Sequence, residues 1–223
     1  HVIFFCEDGR FSIGGNNIGE ADGHKYGWLT LQNIISKSSN IGSVKVAQQL
    51  GKNSFYDYIR KFGFGQKTGV DLPGEAAGRF KKLEAWDERS LASISFGQEI
   101  SATPLQLISA ISAIANGGTL MTPLITQKII KNGRTTKIYK PKFVRRVIST
   151  QTSRQMIDIL KHSVKKGTGG NAAIKGYEVA GKTGTAQKYD RKAGRYSKTA
   201  YVSSFLGFVP ADAAKIAILV LID

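Results

Sequence analysis

Three strand-like segments close this chain one after another, at 177–185, 200–209 and 215–222. They hold β-branched and aromatic residues that suit a pleated surface, and adjacent strands with short links pair antiparallel. What precedes them reads mainly as helix. Thr30 caps a segment with Leu31, Ile34 and Ile35 on one face, and a second segment carries Ile41, Val44 and Leu50 before stopping at Gly51. Ser54 is read as the cap of a short helix whose Phe55, Tyr58, Ile59 and Phe62 share one face up to Gly63. The plainest helix has Thr103 as cap and Pro104 at its first position, runs through Leu105, Ile108, Ile111 and Ile114, and ends at Asn116-Gly117-Gly118. It is apolar on most sides and is expected to be buried.

Between these halves, 63–78 is rich in glycine and holds Pro73-Gly74, which makes it a loop. Segments 125–131 and 135–139 flank Asn132-Gly133 as a hairpin, and a helix is expected over about 152–165. Helices first and strands last is the order of an α+β domain rather than of alternating βαβ units. With 223 residues, 41% of them hydrophobic, one domain with one sizeable core is expected, helical over about 28–118 and strand-bearing over about 119–223.

The net charge of +16 attracts polyanions, but apart from 137–146 and 188–198 the cations are scattered and no nucleic-acid-binding motif accompanies them. Solvated faces account for them, and no nucleic-acid partner is expected; an anionic wall polymer or lipid surface would be attracted equally. Cys6 is the single cysteine, so no internal disulfide forms. The longest apolar run, 216–222, is far short of the roughly 20 residues needed to cross a bilayer. His24 and His162 have no carboxylate or cysteine at ligand spacing and His1 is terminal, so neither a metal nor a cofactor is expected.

Two chemistries compete for Gly181-Lys182-Thr183. Residues 176–183 satisfy G-x-x-x-x-G-K-[ST], and 218–223 resembles an apolar strand ending in a magnesium-binding Asp. A phosphate loop, however, follows a buried strand and opens a helix that aims free N–H groups at the phosphates. Here a Gly/Asn loop lies upstream and Gly184 breaks the would-be first turn. The preferred reading puts Lys182-Thr183-Gly184 on a strand lining a groove. Lys182 then supplies a fixed positive charge, Thr183 and Thr185 supply hydroxyls for a carboxylate, and Gly184 lets an extended ligand lie against the backbone. Lys67-Thr68-Gly69, inside the Gly/Pro loop, is a second copy read as a decoy.

Ser38-Ser39-Asn40 between two helices, followed far downstream by Lys182-Thr183-Gly184, is the motif order of the penicillin-recognising serine enzymes. The likeness extends to 27–30, 69–75, 95–98 with Thr103-Pro104, 180–187 and 204–210. Taken together, these resemble the class B penicillin-binding proteins, monofunctional D,D-transpeptidases that cross-link bacterial cell wall. The resemblance implies the penicillin-recognising serine transpeptidase fold, an antiparallel sheet packed with helices beside an all-helical lobe. It implies peptidoglycan stem peptides, β-lactam antibiotics and other cell-wall synthesis proteins as partners, no cofactor, and a membrane-anchored parent with this domain outside the cytoplasmic membrane.

Carried onto these positions, the resemblance makes Ser38 a proton relay toward the leaving group and Asn40 a hydrogen-bond partner of the substrate amide. Lys182 and Thr183 position charge and carboxylate, with Gly184 beside them on the strand, and the Thr185 N–H is half of an oxyanion hole. It also implies a Ser-x-x-Lys nucleophile upstream of Ser38, and residues 1–37 contain none. The one literal match, at Ser163 to Lys166, is out of order and at a helix C-terminus, where the dipole disfavours an alkoxide, so both residues are read as surface groups. The missing motif and the missing final helix are expected of a piece of a larger protein, inactive alone. A penicillin-binding sensor or wall-binding module without turnover stays open as an alternative. Glu99 is read as a structural carboxylate rather than a hydrolytic base, and Arg191, Lys192 and Arg195 as a loop bordering the groove.

Overall fold

The computed structural model describes residues 2–190 and 194–223; His1, Arg191 and Lys192 lie outside them. The chain opens with β1 (Ile3–Phe5), the hairpin β2 (Arg10–Ile13) and β3 (Asn16–Gly19), and β4 (Trp28–Thr30). Helices α1 (Leu31–Lys37), α2 (Asn40–Leu50), α3 (Lys52–Lys61), α4 (Glu88–Ser95) and α5 (Pro104–Ala115) follow. Then come β5 (Thr119–Thr122), β6 (Lys128–Lys131), β7 (Arg134–Ile138), β8 (Lys142–Arg146), α6 (Thr150–Lys166), and the strands β9 (Ala180–Asp190), β10 (Arg195–Val209) and β11 (Ile216–Ile222).

Side-chain caps fix where most of the helices begin. Thr30 accepts from the Asn33 N–H, Ser39 from Gly42 and Ser149 from Thr152. Thr103 and Gln106 form a reciprocal capping box with Pro104 at the first position, the arrangement read from the sequence. Ser54 does not cap α3: the helix starts at Lys52 after Gly51, whose φ of 84° needs no side chain. Helix α4, absent from the sequence reading, is set by Asp87, whose carboxylate accepts from the Ser90 N–H.

Strands β11, β10 and β9 form one antiparallel sheet in that order. Its inner face meets α5 and α6. Ala180 and Phe208 from the strands pack with Ile111, Ile157 and Leu160 from the helices, with Leu206 and Ala217 at the margin. A second core under the helical lobe joins Cys6, Leu29, Ile34 and Ile41, so the early strands form a lid over α1 and α2. Pairing of β1 with β4 and of β5 with β8 was not legible, because each strand is short and its partner lies 20 or more residues away. The Asn132-Gly133 hairpin is present, both turn residues having positive φ as the two-residue turn requires.

One expectation is overturned outright. Ser163 is fully buried, and its Oγ has no hydrogen-bond partner among the described residues; Lys166 is exposed as read. The neighbouring Lys161, Lys165 and Lys166 gave the segment a solvated texture, while the buried stripe Ile157, Leu160 and Val164 turns Ser163 inward.

Candidate active site

The break between α1 and α2 presents two serines to opposite sides. Ser38 ends α1 in the left-handed region, at φ 56° and ψ 40°, its N–H turned back onto the carbonyls of Ile34 and Ile35. Non-glycine residues adopt this conformation uncommonly. It aims the Ser38 side chain into a cleft, whereas Ser39, capping α2, is fully buried. The Ser39 hydroxyl donates to Glu20 Oε1 at 2.6 Å, and the Asn40 N–H donates to Glu20 Oε2 at 2.6 Å. Asn40 Nδ2 donates to the Gly19 carbonyl at 2.9 Å, and the residue forms part of the cleft wall.

Strand alternation puts Lys182 on the same side of β9 as Ala180, whose side chain is in the inner core, so the lysine points along that face toward the helical lobe. There it meets Ser38, 144 positions away in sequence, with Nζ hydrogen-bonded to Ser38 Oγ. Nζ also donates to the Thr183 carbonyl at 2.9 Å and approaches Thr168 Oγ1 at 3.1 Å and Thr183 Oγ1 at 3.3 Å. The two threonine hydroxyls are 2.6 Å apart. No carboxylate among the described residues pairs with this amine. Burial pushes Lys182 down from the 10.5 of an ordinary lysine to about 8.

A folded state that releases its proton at about 8 binds fewer protons than the unfolded chain between about 8 and 10.5, so stability from this group rises with pH across that window. Below it the buried ammonium is a standing cost, to be offset by whatever anion enters. Titration of 13Cε-labelled lysine by NMR is expected to resolve one resonance with a midpoint near 8 that is lost in Lys182→Met. A Lys182 midpoint at 10.5 or above would show the amine to be solvated.

Thr168 was not among the expected site residues. It reaches the site because the loop after α6 runs hard against α1: its N–H donates to the Ser36 carbonyl at 3.1 Å. At the preceding Gly167 a Cβ would lie 2.3 Å from Ser36 O and 2.8 Å from Ser163 O, so only glycine permits the approach. The signal in the sequence was the Gly-rich 167–170 loop, but its neighbour in space was not readable from it. Glu20 was missed altogether, since a lone acid carries no motif.

The cleft, about 630 Å³, runs between the helical lobe and β9. Asp22, His24, Lys37 and Phe96 contribute to its rim, and Lys182, Thr183, Gly184 and Thr185 to one wall. Four of the expected residues thus share that space with Ser38 and Asn40. Thr183 and Gly184 are half-buried and Thr185 is exposed. An added Cβ at Gly184 would lie 2.7 Å from Oγ of its cross-strand partner Ser204, which would have to turn away to admit it.

The look-alikes fall elsewhere. Residues 181–185 lie within strand β9, not in a loop opening a helix, which removes the phosphate-loop geometry. Lys67-Thr68-Gly69 wraps a carboxylate of its own chain, the Thr68 N–H and hydroxyl both donating to Glu75 Oε1 at 2.6 Å. Glu99 pairs with Lys81 at 2.6 Å and accepts from Ser90 at 3.3 Å, a structural role, while its N–H meets Tyr196 Oη of β10 at 3.3 Å. Among the described residues no cluster of three or more His, Cys, Asp and Glu is placed to hold a metal ion.

A family model described as penicillin binding protein transpeptidase domain matches residues 3–223. Stage V sporulation protein D of Bacillus subtilis is 42% identical over 200 residues, covering 89% of this chain and 31% of that protein. The probable peptidoglycan D,D-transpeptidase PenA of Neisseria gonorrhoeae is 32% identical over 205 residues, covering 91% and 33%. The chain spans about a third of the length of these curated relatives. Among solved structures, ampicillin-complexed penicillin-binding protein 3 of Mycobacterium tuberculosis superposes with a TM-score of 0.90 at 35% identity, over 96% of this chain and 50% of that one. The transpeptidase domain of Burkholderia pseudomallei penicillin-binding protein 3 gives 0.87 at 32% identity, over 100% and 64%.

Proposed function

The chain belongs to the penicillin-binding protein transpeptidase family, and on that premise we propose that its cleft is the substrate-holding half of a serine D,D-transpeptidase site. The ligand is the acyl-D-alanyl-D-alanine end of a peptidoglycan stem peptide, or a β-lactam that imitates it. The observation that carries this reading is Lys182: a half-buried amine with no carboxylate partner among the described residues, set among the hydroxyls of Ser38, Thr168 and Thr183 at the wall of an open cleft. Such a site attracts a carboxylate, which restores the missing negative charge and accepts the surrounding hydroxyl protons.

With the carboxylate there, an extended peptide lies along the exposed side of β9. Thr183 holds the carboxylate, Gly184 leaves its backbone open to the ligand, and the Thr185 N–H faces the scissile carbonyl as half of an oxyanion hole. Asn40 holds the ligand amide from the opposite wall. Ser38, bonded to an amine with a pKa of about 8, passes its proton toward the leaving nitrogen and takes one in return from the Lys182 ammonium. The acyl-enzyme forms on a serine of a Ser-x-x-Lys motif outside these residues, in the larger protein that the relatives' lengths suggest. That protein is membrane-anchored, holds this domain outside the cytoplasmic membrane and works with other cell-wall synthesis proteins. No helix among the described residues is long and apolar enough to cross a membrane.

Incubation with a fluorescent penicillin tests the division of labour. The 223-residue chain is expected to show reversible, concentration-dependent binding and no label after denaturation. Label that survives denaturation would place a nucleophile within the chain and contradict the reading.

A further inference from the structure

We propose that Glu20 is the positioning residue of this site, the group that fixes Ser38-Ser39-Asn40 in the orientation from which Ser38 and Asn40 face the cleft. The inference rests on the proposed function for its ligand but on geometry for its substance.

Glu20 is 91% buried at the end of the β2–β3 hairpin, and its two carboxylate oxygens are used separately. Oε1 accepts the Ser39 hydroxyl and Oε2 the Asn40 N–H, each at 2.6 Å, so one side chain grips the two residues that follow Ser38. The preceding carbonyl, of Gly19, holds the Asn40 side chain at 2.9 Å. Three bonds therefore run from two consecutive residues to the turn between α1 and α2. A buried carboxylate needs partners of this strength, and an N–H at the first turn of a helix is a favourable one.

The turn is the part of the site that needs holding. Ser38 is a left-handed non-glycine residue, and rotation of the following peptide would carry its hydroxyl away from Lys182. Glu20 does not itself line the cleft and bonds neither Ser38 nor Lys182, so its influence passes through Ser39 and Asn40.

The variants Glu20→Ala and Glu20→Gln separate positioning from charge. Glutamine can still accept from the Asn40 N–H and donate to Ser39 Oγ, so it preserves the grip and removes the charge. In the unliganded 223-residue chain, Glu20→Ala is expected to move the Lys182 NMR titration upward, toward the ordinary lysine value, while Glu20→Gln leaves it near that of the unmodified chain. Glutamine removes the charge while keeping both bonds, so any direct effect of the Glu20 charge on Lys182 appears in that variant as well. Binding of diacetyl-L-lysyl-D-alanyl-D-alanine, followed by NMR, should weaken about tenfold in Glu20→Ala and less than about threefold in Glu20→Gln.

Val147→Ala, a change in the separate core of Ala113, Leu120 and Val147, loses stability without moving either readout. An unchanged Lys182 titration in Glu20→Ala overturns the proposal, as does equal damage from both Glu20 variants, which would make the charge the cause. Should Glu20→Ala fail to fold, Glu20→Asp, one methylene too short to reach both donors, takes its place with the same expected pattern. If the unmodified chain does not bind the peptide, the functional reading fails; the ligand-free titration still decides the role of Glu20.

Discussion

Replacing Lys182 by methionine is expected to weaken binding of an acyl-D-alanyl-D-alanine peptide by about 10- to 100-fold, the loss of one charge-assisted hydrogen-bonding group worth about 1.5–3 kcal/mol. Methionine keeps the apolar stem and removes the ammonium. No acidic partner is orphaned, because none pairs with Lys182 among the described residues, and the hydroxyls of Ser38, Thr168 and Thr183 can rotate to bond one another or water. Stability at pH 7 should therefore hold or rise, since the variant no longer carries a protonated amine in a buried place. Calorimetry and thermal unfolding on the same sample check both halves. Unchanged peptide affinity, or a large fall in melting temperature, would show that Lys182 is a structural residue.

The complementary prediction concerns the platform on which Lys182 is mounted. Phe208 is 2% exposed and packs, with Ala180, between β9–β10 and the helices α5 and α6. Phe208→Ala is expected to cost about 3–5 kcal/mol, the transfer free energy of a buried aromatic ring plus the cavity it leaves. Phe208 is paired directly with Ala180, two residues before Lys182, so relaxation into the cavity also displaces the wall of the cleft. Urea unfolding should show the fall in midpoint with an unchanged slope. A loss below about 1 kcal/mol would mean that the sheet does not depend on this contact.

How much of this was legible follows from how local each signal is. Thr30 and Thr103 announce helix starts through bonds to residues three positions on, and both caps stand where they were read. The Asn132-Gly133 turn and the antiparallel run of β9 to β11 are similarly local and are present. Helix α4 was hidden because its first turn, Glu88-Arg89-Ser90, is polar and only Asp87 marks its start. Strands β1, β4, β5 and β8 are three to five residues long and are defined by distant partners, which no window along the chain contains.

The site divides along the same line. Ser38, Asn40, Lys182, Thr183, Gly184 and Thr185 were found through two short motifs, and the structure brings them to one cleft. Thr168 and Glu20 belong to no motif. The first arrives because Gly167 lets a loop close on Ser36, the second because a hairpin folds a carboxylate under the start of α2. Supporting groups of this kind are specified by tertiary packing and emerge only with coordinates. Ser163 erred in the opposite direction: its Ser-x-x-Lys match, out of order and at a helix C-terminus, was read as surface residues, and the helix face turned Ser163 inward.

The cleft can serve this function only if it recognises a negative charge at the Lys182 end. The direct measurement is the affinity of the 223-residue chain for diacetyl-L-lysyl-D-alanyl-D-alanine against the same peptide with a C-terminal amide, at pH 7, where Lys182 is protonated. The free acid should bind at least about tenfold more tightly, with the difference shrinking as pH rises past 8. Equal affinity for acid and amide across that range would contradict the carboxylate site and, with it, the role assigned to Lys182.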